Sequence, residues 1–196
     1  MRTHFLLKHI PDKGKILDIG NLADDGMIHK ELMEKLPDAE LYGLDIDDQR
    51  QSGLSFPRQV VGRAEAMPYD DNFFDAIYMG EVFEHTWEPL TLLKECNRVL
   101  KQGGVLILDT PNVYSMARML RYFVTGKDVI LGNPDHKIFY SRAMMENALE
   151  KTGYSAIETT TDRKFSIKGR HMILPPIGPF HYFGEHLQAV ARKAGP

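Results

Sequence analysis

The chain of 196 residues holds a single cysteine, Cys96, so no disulfide can form within it, which fits a reducing compartment. No uninterrupted apolar run approaches the ~20 residues needed to span a bilayer. The opening stretch, Met1 to Ile10, is too broken by polar side chains to read as the apolar core of a secretion signal. Neither charge dominates: 24 Lys and Arg stand against 27 Asp and Glu, a formal net of −3. That balance gives no general attraction to nucleic acid or to an anionic membrane. Internal repeats and low-complexity tracts are missing too. The expectation is a cytoplasmic globular protein, long enough for one α/β domain with a full core.

What is present is an alternation. Lys15-Ile16-Leu17-Asp18-Ile19-Gly20 reads as a short buried strand ending in an acid and a glycine. After an irregular run to Gly26, Ile28, Leu32 and Leu36 fall at helical spacing, and Pro37-Asp38 stops the helix. Glu40 to Asp45 is a second strand ending in an acid. A strand–loop–helix–strand unit closed by an acid is how α/β proteins grip the ribose of a nucleotide-like cofactor.

Further strands are predicted at Pro57–Val61, Phe74–Met79, Val105–Leu108, Tyr154–Thr161 and Glu185–Lys193. Between them, a helix from Pro89 carries Leu90, Leu93, Asn97 and Leu100 on one side, and Gly103-Gly104 stops it. Helices are also predicted over Tyr114–Phe123 and from a Ser141 cap to Thr152, with Gly153 after it. The run from Asp162 to Gly184 reads as mostly irregular. Strands alternating with amphipathic helices predict a doubly wound, mostly parallel α/β sheet with helices on both faces and right-handed crossovers.

Six stretches, in order, carry a resemblance: Ile16 to Gly20; Leu44-Asp45-Ile46-Asp47; Ala64-Glu65-Ala66-Met67-Pro68-Tyr69; Phe74 to Ile77; Glu81-Val82-Phe83-Glu84-His85; and Glu95 to Gly104. Together they resemble the class I S-adenosylmethionine-dependent methyltransferases, in the type 11 or ubiquinone-biosynthesis-like small-molecule group. The resemblance implies a Rossmann-like sheet of seven strands, the last antiparallel and inserted between the fifth and sixth. It implies one domain over 1–196, with a core at 15–160, a closing strand near 187–193, and segments 112–140 and 162–184 covering the acceptor pocket.

It also implies roles. Asp18 and Gly20 shape the first loop, where a missing Cβ lets backbone approach the methionine end of S-adenosylmethionine. Asp45 accepts from the ribose hydroxyls, its two oxygens matching a vicinal diol. Ile46 packs on the adenine, and backbone at Ala64 and Glu65 meets the adenine edge. Gly80 lies at the strand end where open α/β sheets place their reaction centre.

Two departures touch this cofactor site. Leu22 and Asp24 stand where the family has glycines, and helix phase makes Gly26 the third glycine, with Asp25 free to cap the helix. Arg63 stands where the family usually has an aspartate that accepts from the adenine amino group, and a guanidinium has no acceptor.

The candidates for chemistry are His85, Glu84 and His136. His85 suits a general base, its ordinary pKa lying near working pH. In resembling ubiquinone O-methyltransferases the Glu-x-x-Glu-His spacing can hold a divalent cation, but a general-base or structural reading of His85 ranks above a metal here. His136 lies in the loop before Tyr140. Tyr78, Met79 and Cys96 read as core. Arg163, Lys164, Lys168 and Arg170 read as a solvated basic loop face, so no nucleic-acid partner is expected.

The leading reading is methyl transfer to a small-molecule O, N or C acceptor. The alternative is a non-catalytic protein of the same fold, motivated by the altered loop and Arg63, acting as a partner or regulator. A nicotinamide dehydrogenase fits the pattern poorly, since its Gly-x-Gly-x-x-Gly needs glycines where Leu22 and Asp25 stand.

Overall fold

The computed structural model describes residues 2–51, 53–126, 133–167, 170–173, 175 and 182–195. The elements run α1 (Arg2–His9), β1 (Gly14–Ile19), α2 (Ala23–Lys35), β2 (Ala39–Asp45), β3 (Gln59–Val61) and β4 (Phe74–Gly80). A single 3-10 turn (Phe83–His85) follows, then α3 (Pro89–Val99), β5 (Leu100–Pro111), α4 (Met116–Thr125), α5 (Arg142–Lys151) and β6 (Tyr154–Thr161). Last come β7 (Lys164–Ile167), β8 (Arg170–Ile173) and β9 (His186–Lys193).

Seven strands form one sheet in the order β3-β2-β1-β4-β5-β9-β6. Strands β1 to β5 pair in parallel, and β9 runs antiparallel to both neighbours. This is the seven-stranded layout that the resemblance implied. The physical cause lies in the alternation of side chains along each strand. Ile16, Ala76, Tyr78, Val105 and Ile107 pack on one face with Leu6 and Leu32. Leu17, Ile19, Ile77, Met79, Leu106 and Leu108 pack on the other with Leu93, Cys96 and Met145. Both faces are apolar, so both need helices over them.

Several local expectations change. Leu90 is 47% exposed, whereas Leu93 and Leu100 are buried as expected and Leu92, Cys96 and Val99 are buried with them. The chain becomes extended at Leu100, so Gly103-Gly104 lie within β5, where the register with β4 shifts, rather than stopping the helix. Asp162 to Gly184, read as irregular, contains the β7–β8 hairpin. The predicted turn residues Gly178-Pro179 and the basic Lys168 lie outside the described residues. Ser141 caps α5 as expected, its hydroxyl accepting the Met144 N–H at 3.3 Å.

The loop after β1 is the unusual backbone. Asp24, Asp25 and Gly26 are all left-handed, with φ of 49°, 56° and 68°. Regular right-handed helix therefore starts only after Gly26, as the apolar phase predicted. Asp25 does not serve as the expected cap; it is part of the left-handed turn, and its carbonyl accepts Lys30 Nζ at 2.7 Å. A left-handed conformation costs a non-glycine residue about 1 kcal/mol or more, so the surrounding contacts have to hold this turn.

Candidate functional site

The chain goes outward from β1 to β2 to β3, then crosses back to β4 on the other side of β1. The carboxyl ends of β1 and β4 thus flank the point where the winding reverses, which is where open α/β sheets leave a crevice. A cleft of about 250 Å³ opens there, floored by Ile19, Gly20, Leu44 and Asp45 and walled by Arg63 to Glu65, Glu81 and His85.

Asp45 lines it. One carboxylate oxygen accepts the Leu22 N–H at 3.1 Å and the other the Asp47 N–H at 3.0 Å. Each oxygen has a second lone pair, so the clamped carboxylate can still accept from a ligand hydroxyl. Ile46 stands 73% exposed on the rim, and Ala64 is buried in the wall. Glu65 accepts the Thr86 hydroxyl at 2.7 Å and lies 3.4 Å from the Arg63 guanidinium. Arg63 is thus engaged by the neighbouring acid.

Gly20 has φ +73°, and a Cβ there would collide with Val82. Gly26 is buried behind the loop, where a Cβ would come within 2.6 Å of the Phe56 ring. At Gly80 a side chain would occupy the place of the Tyr78 hydroxyl, which donates to Asp109 at 3.0 Å.

Asp18 is buried and bonded at 2.9 Å to Nδ1 of His29, which reaches across from α2. Burial pushes the Asp18 pKa up, against the pull of the His29 bond. Asp18 thus shapes the loop from inside, through a partner that sequence reasoning missed. The available signal was phase: a stripe of 29, 32 and 36 describes the buried side of α2 better than 28, 32 and 36, since His29 and Leu32 are buried.

Beyond Gly20 and Glu81 a second pocket of about 190 Å³ continues, lined in part by Asp18, Asn21, His85 and His136. The three candidates for chemistry come together beside it. The 3-10 turn presents Glu84 and His85, and the Glu84 carbonyl accepts the N–H groups of Lys137 and Ile138 at 2.7 and 3.2 Å. That docking sets His136 against the turn. The His85 and His136 rings meet edge to face with centroids 4.8 Å apart.

Glu84 is fully buried, and one oxygen accepts the Thr110 hydroxyl at 2.8 Å. Its other oxygen lies 4.0 Å from His136 Nε2. Burial, aided by the charges of Glu81 and Asp109, pushes the Glu84 pKa up to about 7 despite the stabilising hydrogen bonds. Burial and the neighbouring His85 hold the His136 pKa below its ordinary value. His85 Nδ1 lies 3.1 Å from the Asp135 carbonyl, which can only accept, so Nδ1 carries the proton and neutral His85 presents its lone pair at Nε2. One ligand atom from each of Glu84, His85 and His136 lies within 4.8 Å of the others. A carboxylate with two imidazoles is a donor set that divalent ions accept, but the Thr110 bond and raised pKa of Glu84 suit proton handling equally.

Comparison with known proteins supplies an independent line. A family model described as "Methyltransferase domain" matches residues 17–108. A "Probable S-adenosylmethionine-dependent methyltransferase" of Mycolicibacterium smegmatis is 31% identical over 123 residues, covering 61% of this chain and 45% of the relative. "Demethylmenaquinone methyltransferase" of Geobacillus kaustophilus is 32% identical over 99 residues, covering 44% of this chain and 42% of the relative. The matches therefore span under half the length of these curated relatives. The crystal structure of a SAM dependent methyltransferase from Archaeoglobus fulgidus superposes with a TM-score of 0.75 at 16% identity, covering 98% of this chain and 91% of that one. A methyltransferase domain is thus matched over residues 17–108, and the sheet order and the superposition agree that the described chain shares the fold of a solved SAM dependent methyltransferase.

Proposed function

We propose that this chain transfers a methyl group from S-adenosylmethionine to a small-molecule acceptor. The observation that carries the reading is the clamped Asp45 carboxylate in a cleft that continues past Gly20 into a pocket lined by His85 and His136. The residues suit the cofactor. Asp45 offers acceptors to a diol, Ile46 offers exposed apolar surface to a purine, and Ala64 and Glu65 offer backbone at its edge. Gly20 and Gly80 keep the backbone slim where the ligand would bend between pockets. Gly26 and Asp18 shape the loop from behind.

When bound, the cofactor supplies an electrophilic methyl group on a sulfonium. The chain's own part is to hold the acceptor in line and take its proton. His85 Nε2 is the base we assign, the Asp135 carbonyl fixing its tautomer. Glu84 and His136 relay or hold that proton, since a carboxyl with a pKa of about 7 exchanges protons readily at neutral pH.

The described parts of segments 112–140 and 162–184 wall the acceptor pocket in this reading. Asn112 supports it by donating to the carbonyls of Tyr182 and Gly184, both at 2.9 Å, which ties the two segments together. The Geobacillus relative is named for a quinone acceptor; a small, partly apolar acceptor is the class we favour here. We place the reaction in the cytoplasm, without nucleic acid. Among the described residues no helix is long and apolar enough to cross a membrane. Titration calorimetry with S-adenosylhomocysteine tests the proposal. Micromolar to sub-millimolar binding is expected, and folded protein that binds nothing at millimolar ligand overturns it.

A further inference from the structure

Asp162, His186 and Glu81 form a continuous polar chain. Asp162 Oδ2 lies 2.7 Å from His186 Nδ1, and His186 Nε2 lies 2.9 Å from Glu81 Oε1. Asp162 is itself pinned, its other oxygen accepting the N–H groups of Lys164 and His186 at 3.1 and 3.2 Å. Both imidazole nitrogens are therefore directed, and the ring has one orientation. Burial opposes charge on His186, but the bonds to the two acids outweigh it and raise its pKa to about 9. The imidazolium form donates to both carboxylates at once.

Glu81 is unusual in its own right. It is a non-glycine residue with φ +52°, its N–H bonded to the Asp109 carbonyl at 2.9 Å. Its side chain lines both pockets and keeps about a third of its surface exposed. Held there, it meets any ligand that passes Gly20 from the Asp45 cleft into the second pocket. The Asp18 carboxylate is already occupied by His29 and the exposed Asp24 lines the second pocket alone, so Glu81 is the acid with exposed surface that lines both pockets.

We infer that Asp162 and His186 are positioning residues that fix the Glu81 carboxylate at this junction, where it receives the ammonium group of the cofactor's methionine end. A carboxylate only accepts, and an ammonium only donates, so the pairing is charge-assisted and oriented. The inference rests on the methyl-transfer reading. It adds a residue from β9 and one from the β6–β7 turn to the cofactor site.

The test compares two ligands by calorimetry. S-adenosylhomocysteine carries the ammonium, whereas 5′-methylthioadenosine keeps the nucleoside and thioether but lacks the amino-acid tail. In Glu81→Gln, affinity for S-adenosylhomocysteine should fall roughly tenfold or more, while that for methylthioadenosine stays within about twofold. His186→Gln and Asp162→Asn should show the same selective loss, about three- to tenfold. In the double variant Glu81→Gln/His186→Gln the loss should match that of Glu81→Gln alone, because His186 acts through Glu81. Equal losses for both ligands, no loss, or additive losses in the double variant overturn the inference and leave the methyl-transfer reading standing. Wild-type protein that binds neither ligand overturns that reading as well. Should His186→Gln fail to fold, Glu81→Gln and Asp162→Asn carry the same ligand comparison.

Discussion

Asp18 and His29 are joined at 2.9 Å with side chains 3% and 0% exposed, a pair wholly inside the protein that links β1 to α2. A buried carboxylate stripped of its partner costs about 3–5 kcal/mol. His29→Leu should therefore lower the unfolding free energy by about that amount, measured by urea denaturation. Adding Asp18→Asn should recover part of the loss, since the group left behind no longer carries charge. A cost under about 1 kcal/mol for His29→Leu would mean the pair is not a structural tie.

Asp45 does two things at once: it clamps the first loop through the Leu22 N–H and faces the cleft. Asp45→Ala should weaken S-adenosylhomocysteine binding by roughly 10- to 100-fold, the range of one or two charge-assisted hydrogen bonds. Calorimetry on the variant, with circular dichroism to establish folding, reads the effect. Unchanged affinity in a folded variant would remove Asp45 from the cofactor site.

At Gly20 the backbone and the packing both resist a side chain, because φ is +73° and Val82 fills the place of a Cβ. Gly20→Ala should destabilise by about 1–3 kcal/mol. Pairing it with Val82→Ala removes the collision but not the backbone strain, so the double variant should lie above the sum of the two single costs in stability. Thermal unfolding of the three variants checks this, and strict additivity would contradict the assigned collision.

Glu84 makes stability depend on pH in a direction opposite to that of an ion-paired acid. Its carboxyl titrates near 7 in the folded protein against 4.5 ordinarily, so between those values the folded state holds the proton more tightly than the unfolded chain. Stability should fall as pH rises through that window, by about 3 kcal/mol at most. Glu84→Gln keeps an acceptor for Thr110 and removes the titration. It should match wild type near pH 5 and exceed it near pH 8 in chemical denaturation. An unchanged slope with pH would place the titration elsewhere.

The same chemistry was unequally visible along the chain. The strand-end acid Asp45 could be read from its flanking residues, because strand, acid and following loop are contiguous and their geometry is local. Glu84 and His85 were legible for the same reason, sharing one turn. His136 was legible only as a loop histidine; the hydrogen bonds of Lys137 and Ile138 to the Glu84 carbonyl bring it in. The β7–β8 hairpin was lost among turn-forming prolines and glycines, since four-residue strands carry too little alternation to stand out.

The order of apolar strands and amphipathic helices was enough to specify the doubly wound sheet, because a strand apolar on both faces has few other ways to leave water. The contiguous acids and glycines at strand ends likewise lie along the cleft at the carboxyl ends of the strands. His29 against Asp18, and His186 between Asp162 and Glu81, belong to the folded state alone. Their members come from different elements, and a polar residue's partner across space leaves no trace in local periodicity. Only the sheet, by setting β9 antiparallel to β5 and delivering His186 opposite Pro111 at the carboxyl end, brings that imidazole to the carboxylate beyond β4.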